Sequence, residues 1–159
     1  MSTITAKKEL VYLRILFFTF GLGIMSWIPR FPEVKEALKL TNGGFGSLIS
    51  TGALGSLISL LSVGHVVHRI GVKRVLNTAS FFLMATLIIL TTVKSPLIFF
   101  FANIAFGAAI SAFHISINSQ GFNYQDRTGK FIITQMSGVW GAGALITALI
   151  SGFLVDRVS

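Results

Sequence analysis

Cysteine is absent from this sequence, and charged residues are scarce. The lack of cysteine excludes disulfides, thiolate catalysis and metal sites built on cysteine. Only 11% of the 159 residues are charged, whereas soluble domains average about 25%. A chain with so little charge lacks the polar surface that a soluble monomer needs. The composition therefore favours a membrane protein.

Acidic residues are the rarest charged type, with 5 Asp and Glu against 13 Lys and Arg, which gives a net charge of +8. On a soluble protein this excess would suggest nucleic-acid binding. Here the basic residues lie at the ends of apolar segments, where anionic lipids attract them. We therefore expect the lipid bilayer as a partner, and no nucleic acid.

Sequence signatures of catalysis are also missing. There is no Gly-x-Ser-x-Gly elbow, no His-Glu-x-x-His pair and no phosphate-binding loop ending in Gly-Lys-Ser or Gly-Lys-Thr. His65 and His68 are three residues apart, but no third metal ligand is near them in the sequence. The sequence predicts neither an enzyme nor a cofactor or metal site.

What the sequence does contain is long apolar segments, with 53% hydrophobic residues and a mean hydropathy of +0.80. Five segments approach the thickness of a membrane, at about residues 10–28, 45–67, 75–93, 97–120 and 131–155. They predict an all-α, polytopic helical bundle in one transmembrane domain. Pro29 and Pro32 should end the first helix. Residues 30–41 read as a polar connection, residues 123–130 as a polar loop, and residues 42–44 as a turn.

Small residues mark the second and fifth segments as helix-packing faces. Gly52 with Ser56, and Gly55 with Ser59, have the small-xxx-small spacing that allows two membrane helices to approach closely. The fifth segment contains Gly138, Gly141 and Gly143. Because such open faces need partners, we expect the isolated chain either to associate or to be degraded.

The fourth segment has a polar stripe. At 100° per residue, its members fall within about an 80° sector of one helix; they are Asn103, Gly107, Ser111, His114 and Asn118. Polar groups inside a membrane face either a cavity or each other. The stripe is therefore either part of a solute path or a set of interhelical hydrogen bonds, and His114 is either a proton relay or a neutral hydrogen-bonded side chain.

Three further residues are candidates for such a path. Arg30 lies at the end of the first segment, where it either attracts a solute or anchors the helix, with Trp27 as an interface aromatic residue. Gln135 and Trp140 lie on the fifth segment, where they either reach the path or pack against neighbouring helices.

Residues 64–76 form a basic link between the second and third segments. Three fixed positive charges, Arg69, Lys73 and Arg74, fall within six residues, which suits a cytoplasmic turn between antiparallel helices. A cytoplasmic N-terminus places most of the 13 basic residues inside. Those inside are Lys7, Lys8, Arg14, Arg69, Lys73, Arg74, Arg127 and Lys130, and those outside are Arg30, Lys35, Lys39, Lys94 and Arg157. We predict a multi-pass protein of the inner membrane with its N-terminus inside.

This link resembles the signature between the second and third helices of the major facilitator superfamily. The signature reads glycine, three residues, Asp-Arg, any residue, glycine, any residue and a basic pair. Gly64, Arg69, Gly71, Lys73 and Arg74 match it, and His68 stands where the family has aspartate. Residues 27–40, and Asn-Ser-Gln-Gly at 118–121, are similar to a bacterial branch related to the fucose permeases.

The resemblance implies the first five of twelve helices of a secondary transporter. It implies transport of a small polar solute, such as a sugar, by alternating access between two halves. The family's acidic residue helps to lock those halves, and the fourth-helix arginine of the family is Asn103 here, followed by Gly107. The other half must come from elsewhere, such as another membrane chain. The alternative is a truncated or split-gene protein that acts only as a helix-packing partner.

Overall fold

The computed structural model describes residues 3–158, and the side chains of residues 6–151 and 153 within them. Seven α-helices and one short 3₁₀ turn make up this part of the chain, which contains no β-strand. The helices are α1 (Thr3–Met25), α2 (Phe31–Ala37), α3 (Asn42–Ser50), α4 (Gly52–Ile70), α5 (Val72–Thr92), α6 (Pro96–Thr128) and α7 (Ile133–Val158), with the 3₁₀ turn at Ile28–Arg30. The predicted all-α class is confirmed.

Five helical stretches are long and apolar enough to cross a membrane. They are Ala6–Ala37, Asn42–Ile70, Val72–Thr92, Pro96–Thr128 and Ile133–Ser151. Many large apolar side chains point outward from them, including Leu61 at 79% exposure and Phe81 at 70%. Such outward surfaces are suited to lipid.

The chain divides into two compact units. One unit combines Met1–Pro29 with Ile117–Ser159, and the other is Arg30–Ser116. In the first unit, α1 packs along α7 and buries Leu13, Phe17 and Phe20, which recur at the spacing of one helix face. In the second unit, the buried side chains include Val34, Phe45, Val63, Val75, Leu90, Phe99 and Phe106. Arg157, counted above for orientation, lies outside the residues with described side chains.

The polar connection after α1 is largely helical. Pro32 lies in the first turn of α2, where a helix tolerates proline because the first backbone N–H groups have no intrahelical acceptor. Val34 within α2 and Leu38 at its C-cap are both 3% exposed, so this helix has a buried apolar side. Trp27, interpreted above as an interface aromatic residue, is also buried, at 6% exposure.

Residues 42–44 begin α3, and the prediction of a turn there was wrong. The Thr41 hydroxyl accepts a hydrogen bond from the Gly44 N–H at 3.2 Å and caps the helix. The helix is interrupted at Thr51, and α4 begins at the next residue.

The predicted loop at residues 123–130 is also largely helical. Helix α6 continues to Thr128 and is 33 residues long, about 50 Å at 1.5 Å per residue. That length exceeds the roughly 30 Å hydrocarbon core. The helix ends at Gly129, whose positive φ of 69° suits glycine.

Candidate functional site

The basic link is a turn of one residue. Helix α4 ends at Ile70, α5 begins at Val72, and only Gly71 lies between them. Its φ of 86° is in a region that glycine enters without steric cost. The Gly71 N–H donates to the Val67 carbonyl at 2.9 Å, and the Gly71 carbonyl accepts from the Val75 N–H at 3.3 Å. The backbone thus closes both helix ends around one glycine.

The other residues of the signature lie on the two helices that flank Gly71. Gly64 is inside α4, and a Cβ at this position would meet open space. His68, Arg69, Lys73 and Arg74 are all exposed. The link therefore presents a concentrated positive charge at one end of the α4 and α5 pair.

Asn103 is the most constrained member of the α6 polar stripe. It is 2% exposed, and its side-chain Nδ2 lies 3.1 Å from the Leu48 carbonyl, 2.8 Å from the Ile49 carbonyl and 3.1 Å from the Thr51 Oγ1. The last carbonyls of a helix lack intrahelical donors. Asn103 therefore donates hydrogen bonds to backbone carbonyls at the C-terminal end of α3, where the helix is interrupted.

Close contact between α4 and α6 surrounds this hydrogen-bonded group. A Cβ at Gly55 would clash with the Ile104 carbonyl, and one at Gly107 would clash with the Gly52 carbonyl. The Ser56 hydroxyl donates to the Gly107 carbonyl at 3.0 Å. The small residues of the second segment thus serve a close helix contact, as their spacing predicted.

A second close contact joins α1 and α7 in the other unit. A Cβ at Gly21 would clash with the Trp140 carbonyl, and one at Gly143 would clash with the Phe18 carbonyl. The buried Thr147 hydroxyl donates to the Leu22 carbonyl at 3.2 Å. Here glycines on both helices let the backbones meet.

The remaining α6 candidates are more accessible than Asn103. Ser111 and Asn118 are half-buried, and His114 is exposed. All three lie on one continuous helix, on the sector that the sequence spacing predicts. The stripe is therefore divided between a buried structural residue and accessible polar groups.

On α7, Gln135 is exposed and Trp140 is half-buried. The indole Nε1 of Trp140 is itself buried, and in the described part of the chain it has no hydrogen-bond acceptor. Buried donors usually have a partner, and the Trp140 indole N–H is an exception. Its residue also provides the carbonyl that lies against Gly21 of α1.

Arg30 is exposed and forms an ion pair with Glu33, with 3.2 Å between Nε and Oε2. Both side chains are more than half exposed, so the pair adds little stability. Its charge remains accessible to water at the start of α2.

Two polar contacts in the first unit were missed by the sequence reasoning. The Gln125 side-chain oxygen accepts from the Ile132 and Ile133 N–H groups at 2.8 and 2.9 Å, which caps the start of α7. Arg127 forms an ion pair with Glu9. A glutamine within a predicted loop gives no local signal of a cap for a later helix.

Comparison with known proteins gives a distant relationship. The sequence matches no model of a known protein family, and no solved structure gives a significant match. It is 25% identical over 141 residues to an uncharacterized MFS-type transporter of Yersinia pestis. The match covers 89% of this chain and 37% of that relative. The chain is thus a multi-pass membrane protein with weak homology, over most of its length, to a transporter of the major facilitator type.

Proposed function

We propose that this chain forms the N-terminal helices of a secondary transporter of the major facilitator superfamily, which moves a small polar solute by alternating access. The observation that carries the proposal is the similarity over 141 residues to an MFS-type transporter. The signature-like basic link, with its one-residue turn, supports it. A sugar or related metabolite is the proposed solute, in keeping with the resemblance to the fucose-permease branch.

The proposed solute path consists of accessible polar groups. Ser111, His114 and Asn118 on α6 offer hydroxyl, imidazole and amide groups, and such groups inside a membrane usually face a cavity. Gln135 and the unused Trp140 donor on α7 are further candidates for a solute contact. Arg30 would attract the solute at the outer end, whereas the amide of Asn103 holds the α3 end and acts by positioning α4.

Because the chain covers 37% of its relative, transport in this proposal also uses helices outside residues 1–159. The missing transporter half, or another membrane chain, would supply them. In alternating access, two helical repeats rock against each other around a fixed central site. The close α1–α7 and α4–α6 contacts would keep each helix pair rigid during that motion.

Uptake in cells with the intact locus tests this proposal. Accumulation of labelled fucose, galactose and glucose would be compared with that of a deletion strain. We expect Ser111→Ala, His114→Gln and Trp140→Phe to lower the uptake rate roughly tenfold, as loss of a solute contact does. His65→Gln and Ser137→Ala are matched controls that should retain uptake. Uptake equal to that of the deletion strain for all three sugars would contradict sugar transport.

Orientation has its own test, because the natural chain has no cysteine. Lys73→Cys places a thiol beside the link, and Asn42→Cys places one at the start of α3. With a cytoplasmic N-terminus in the inner membrane, a membrane-impermeant maleimide should label only the Asn42→Cys protein in intact cells. Labelling of the Lys73→Cys protein instead would reverse the proposed topology.

A second candidate function is that of a non-transporting packing partner for another membrane chain. It is favoured by the outer face of α7, where a Cβ at Gly138 or Gly141 would meet open space. Gly138→Leu with Gly141→Leu should then disrupt co-purification of a membrane partner and leave the α1 contact intact. If the chain is a monodisperse monomer in mild detergent and cross-links to no membrane protein in cells, this alternative is wrong.

A further inference from the structure

The second unit contains an apolar groove that the transport proposal does not use. It has a volume of about 370 Å³ and lies between α4, α5 and α6, within the size range of small-molecule pockets. Along α4 it runs from Ile58 to Ile70, and along α5 from Val75 to Phe82. One end of the groove therefore lies directly at the Gly71 turn.

Small side chains on α6 create this groove. The residues that α6 contributes to its lining are all alanines, namely Ala105, Ala108, Ala109 and Ala112. Most of the side chains that α4 and α5 contribute are larger, such as Val66 and Phe82, so a depression remains between the two helices. Its lining is almost entirely apolar, with Ser59, Ser62 and Thr78 as the polar residues. Ser62 donates to its own helix at the Ile58 carbonyl.

Two arginines flank the end of the groove at the turn. Arg69 follows the lining residue Val66 by three positions, and Arg74 precedes the lining residue Thr78 by four. Residues three and four apart share a helix face. Both arginines are exposed, and neither forms an ion pair within the residues whose side chains are described.

The surrounding sequence offers these arginines no counter-charge. No Asp or Glu occurs between Glu36 and Asp126. A cluster of fixed positive charges at the end of an apolar groove complements a molecule that joins an anion to a hydrocarbon chain.

We propose that the groove holds one acyl chain of an anionic phospholipid, whose phosphate binds Arg69 and Arg74. Arginine pairs with phosphate through two parallel hydrogen bonds, and basic pockets between membrane helices bind anionic lipid head groups. The groove is open to the outside, since its lining includes the exposed apolar side chains Ile58, Val66 and Phe82, which are suited to lipid. The proposal requires only that the chain spans a membrane, so it is independent of transport.

Native mass spectrometry of the purified 159-residue chain in mild detergent tests it. The probes are phosphatidylglycerol and phosphatidylcholine with identical acyl chains. We expect phosphatidylglycerol to bind the natural chain more tightly. Arg69→Gln with Arg74→Gln should weaken its binding roughly tenfold or more, since each basic residue near the head group contributes substantially. Lys39→Gln with Lys94→Gln removes the same charge elsewhere in the unit and should leave binding nearly unchanged.

The hydrocarbon part has a separate pair of variants. Ser62→Phe fills the groove from an exposed lining position and should reduce phosphatidylglycerol binding, whereas its neighbour Leu61→Phe, which faces away from the lining, should not. Thermal unfolding of each variant in detergent without added lipid shows whether it is folded. For a folded set, the same loss of binding in both charge variants, or none in the arginine variant, overturns the proposal.

The competing occupants give different results. Equal binding of phosphatidylcholine would show a groove filled by any lipid and overturn the role of the arginines. If glycerol phosphate at equal concentration displaces the lipid, the arginines bind the phosphate but the groove does not hold the acyl chain, which would overturn the proposal. A dimer that excludes phosphatidylglycerol would show that a second copy covers this face, and it too would overturn the proposal.

Discussion

Each of the two units contains a close contact between two helices, but different interactions stabilise the two contacts. In the first unit, α1 and α7 approach through glycines on both helices, and the buried Thr147 hydroxyl adds one hydrogen bond between them. In the second unit, α4 and α6 also meet through glycines, but Asn103 and Ser56 add hydrogen bonds to backbone carbonyls. The first contact depends mainly on shape, whereas the second combines shape with polar specificity.

This difference has a physical basis in the course of the chain. Helix α1 runs without interruption to Met25, so the Phe18 carbonyl in the contact is already used within the helix, whereas the Leu22 carbonyl, in the last turn, accepts from Thr147. The α3–α4 stretch is broken at Thr51, which leaves carbonyls at the end of α3. Inside a membrane such groups need a donor from the protein. Asn103 supplies one, so its role follows from the break.

The largest effect should come from filling the tighter of the two contacts. In Gly55→Leu, the side chain would meet the Ile104 carbonyl and the Ala108 N–H. Because these are backbone atoms, they cannot move aside. We expect a loss of about 3 kcal/mol or more in the free energy of unfolding, measured by denaturation in mild detergent.

Gly64→Leu is the matched control, since Gly64 lies on the same helix in open space. It should unfold within about 0.5 kcal/mol of the natural chain. Equal losses in both variants would mean that the α4–α6 contact is not the source of the effect.

Gly21→Leu should have the next largest effect, because it fills the α1–α7 contact. The added side chain would meet the Trp140 carbonyl and the Ala144 N–H, and we expect a loss of about 1–3 kcal/mol. The same denaturation assay applies. Gly23→Leu, two residues away where a Cβ meets nothing within 4 Å, should be nearly neutral. If Gly55→Leu lowers the free energy of unfolding less than Gly21→Leu does, the α1–α7 contact is the tighter of the two.

Asn103→Ala tests the polar part of the second contact. It removes the donors to the end of α3, and we expect a loss of about 1–2 kcal/mol. Backbone amides around Thr51 should also exchange faster with deuterated solvent. Ser111→Ala, on the same face of α6, should leave both measurements unchanged, although the transport proposal expects it to slow uptake. If Asn103→Ala is neutral, water or another group satisfies those carbonyls.

Gln125→Ala should have the smallest effect of the four. It removes the cap from the Ile132 and Ile133 N–H groups, and we expect a loss of about 1 kcal/mol. Gln125→Glu keeps the acceptor oxygens and should restore most of the stability, which distinguishes capping from general packing. Failure of the glutamate variant to do so would contradict a capping role.

The five apolar helices were predictable because membrane spans depend on length and hydropathy, which are local properties. The glycine contacts at Gly52 and Gly55 were predictable for a similar reason, since the spacing of small residues on a helix determines how closely another helix can approach. These features need no knowledge of the partner helix.

The errors lie where polar residues are helical. Residues 123–128 read as a loop because they are polar, but Gln125 and Arg127 make tertiary contacts there. Residues 31–37 read only as a polar connection, but they form a helix that buries Val34. Helices have no requirement to be apolar outside the bilayer core. The α3 start was missed because a threonine cap preceded glycines that usually mark a turn.

The candidate site was predictable only as a set of residues. Helical spacing placed Asn103, Ser111, His114 and Asn118 on one sector, but the partners of Asn103 are more than 50 positions away in the sequence. Only the crossing of α6 with the broken α3–α4 stretch assigns it a structural role. The sequence contains no marker for that crossing.

The single-residue turn at Gly71 also determines how the second unit can move. With one residue between Ile70 and Val72, neither helix can slide along its axis without pulling the other with it. A displacement of α4 along its axis therefore also displaces α5. The positive charges on both sides of the turn then move together relative to the membrane surface. Inserting even a few flexible residues after Gly71 would uncouple the two helices without altering a single contact along their lengths.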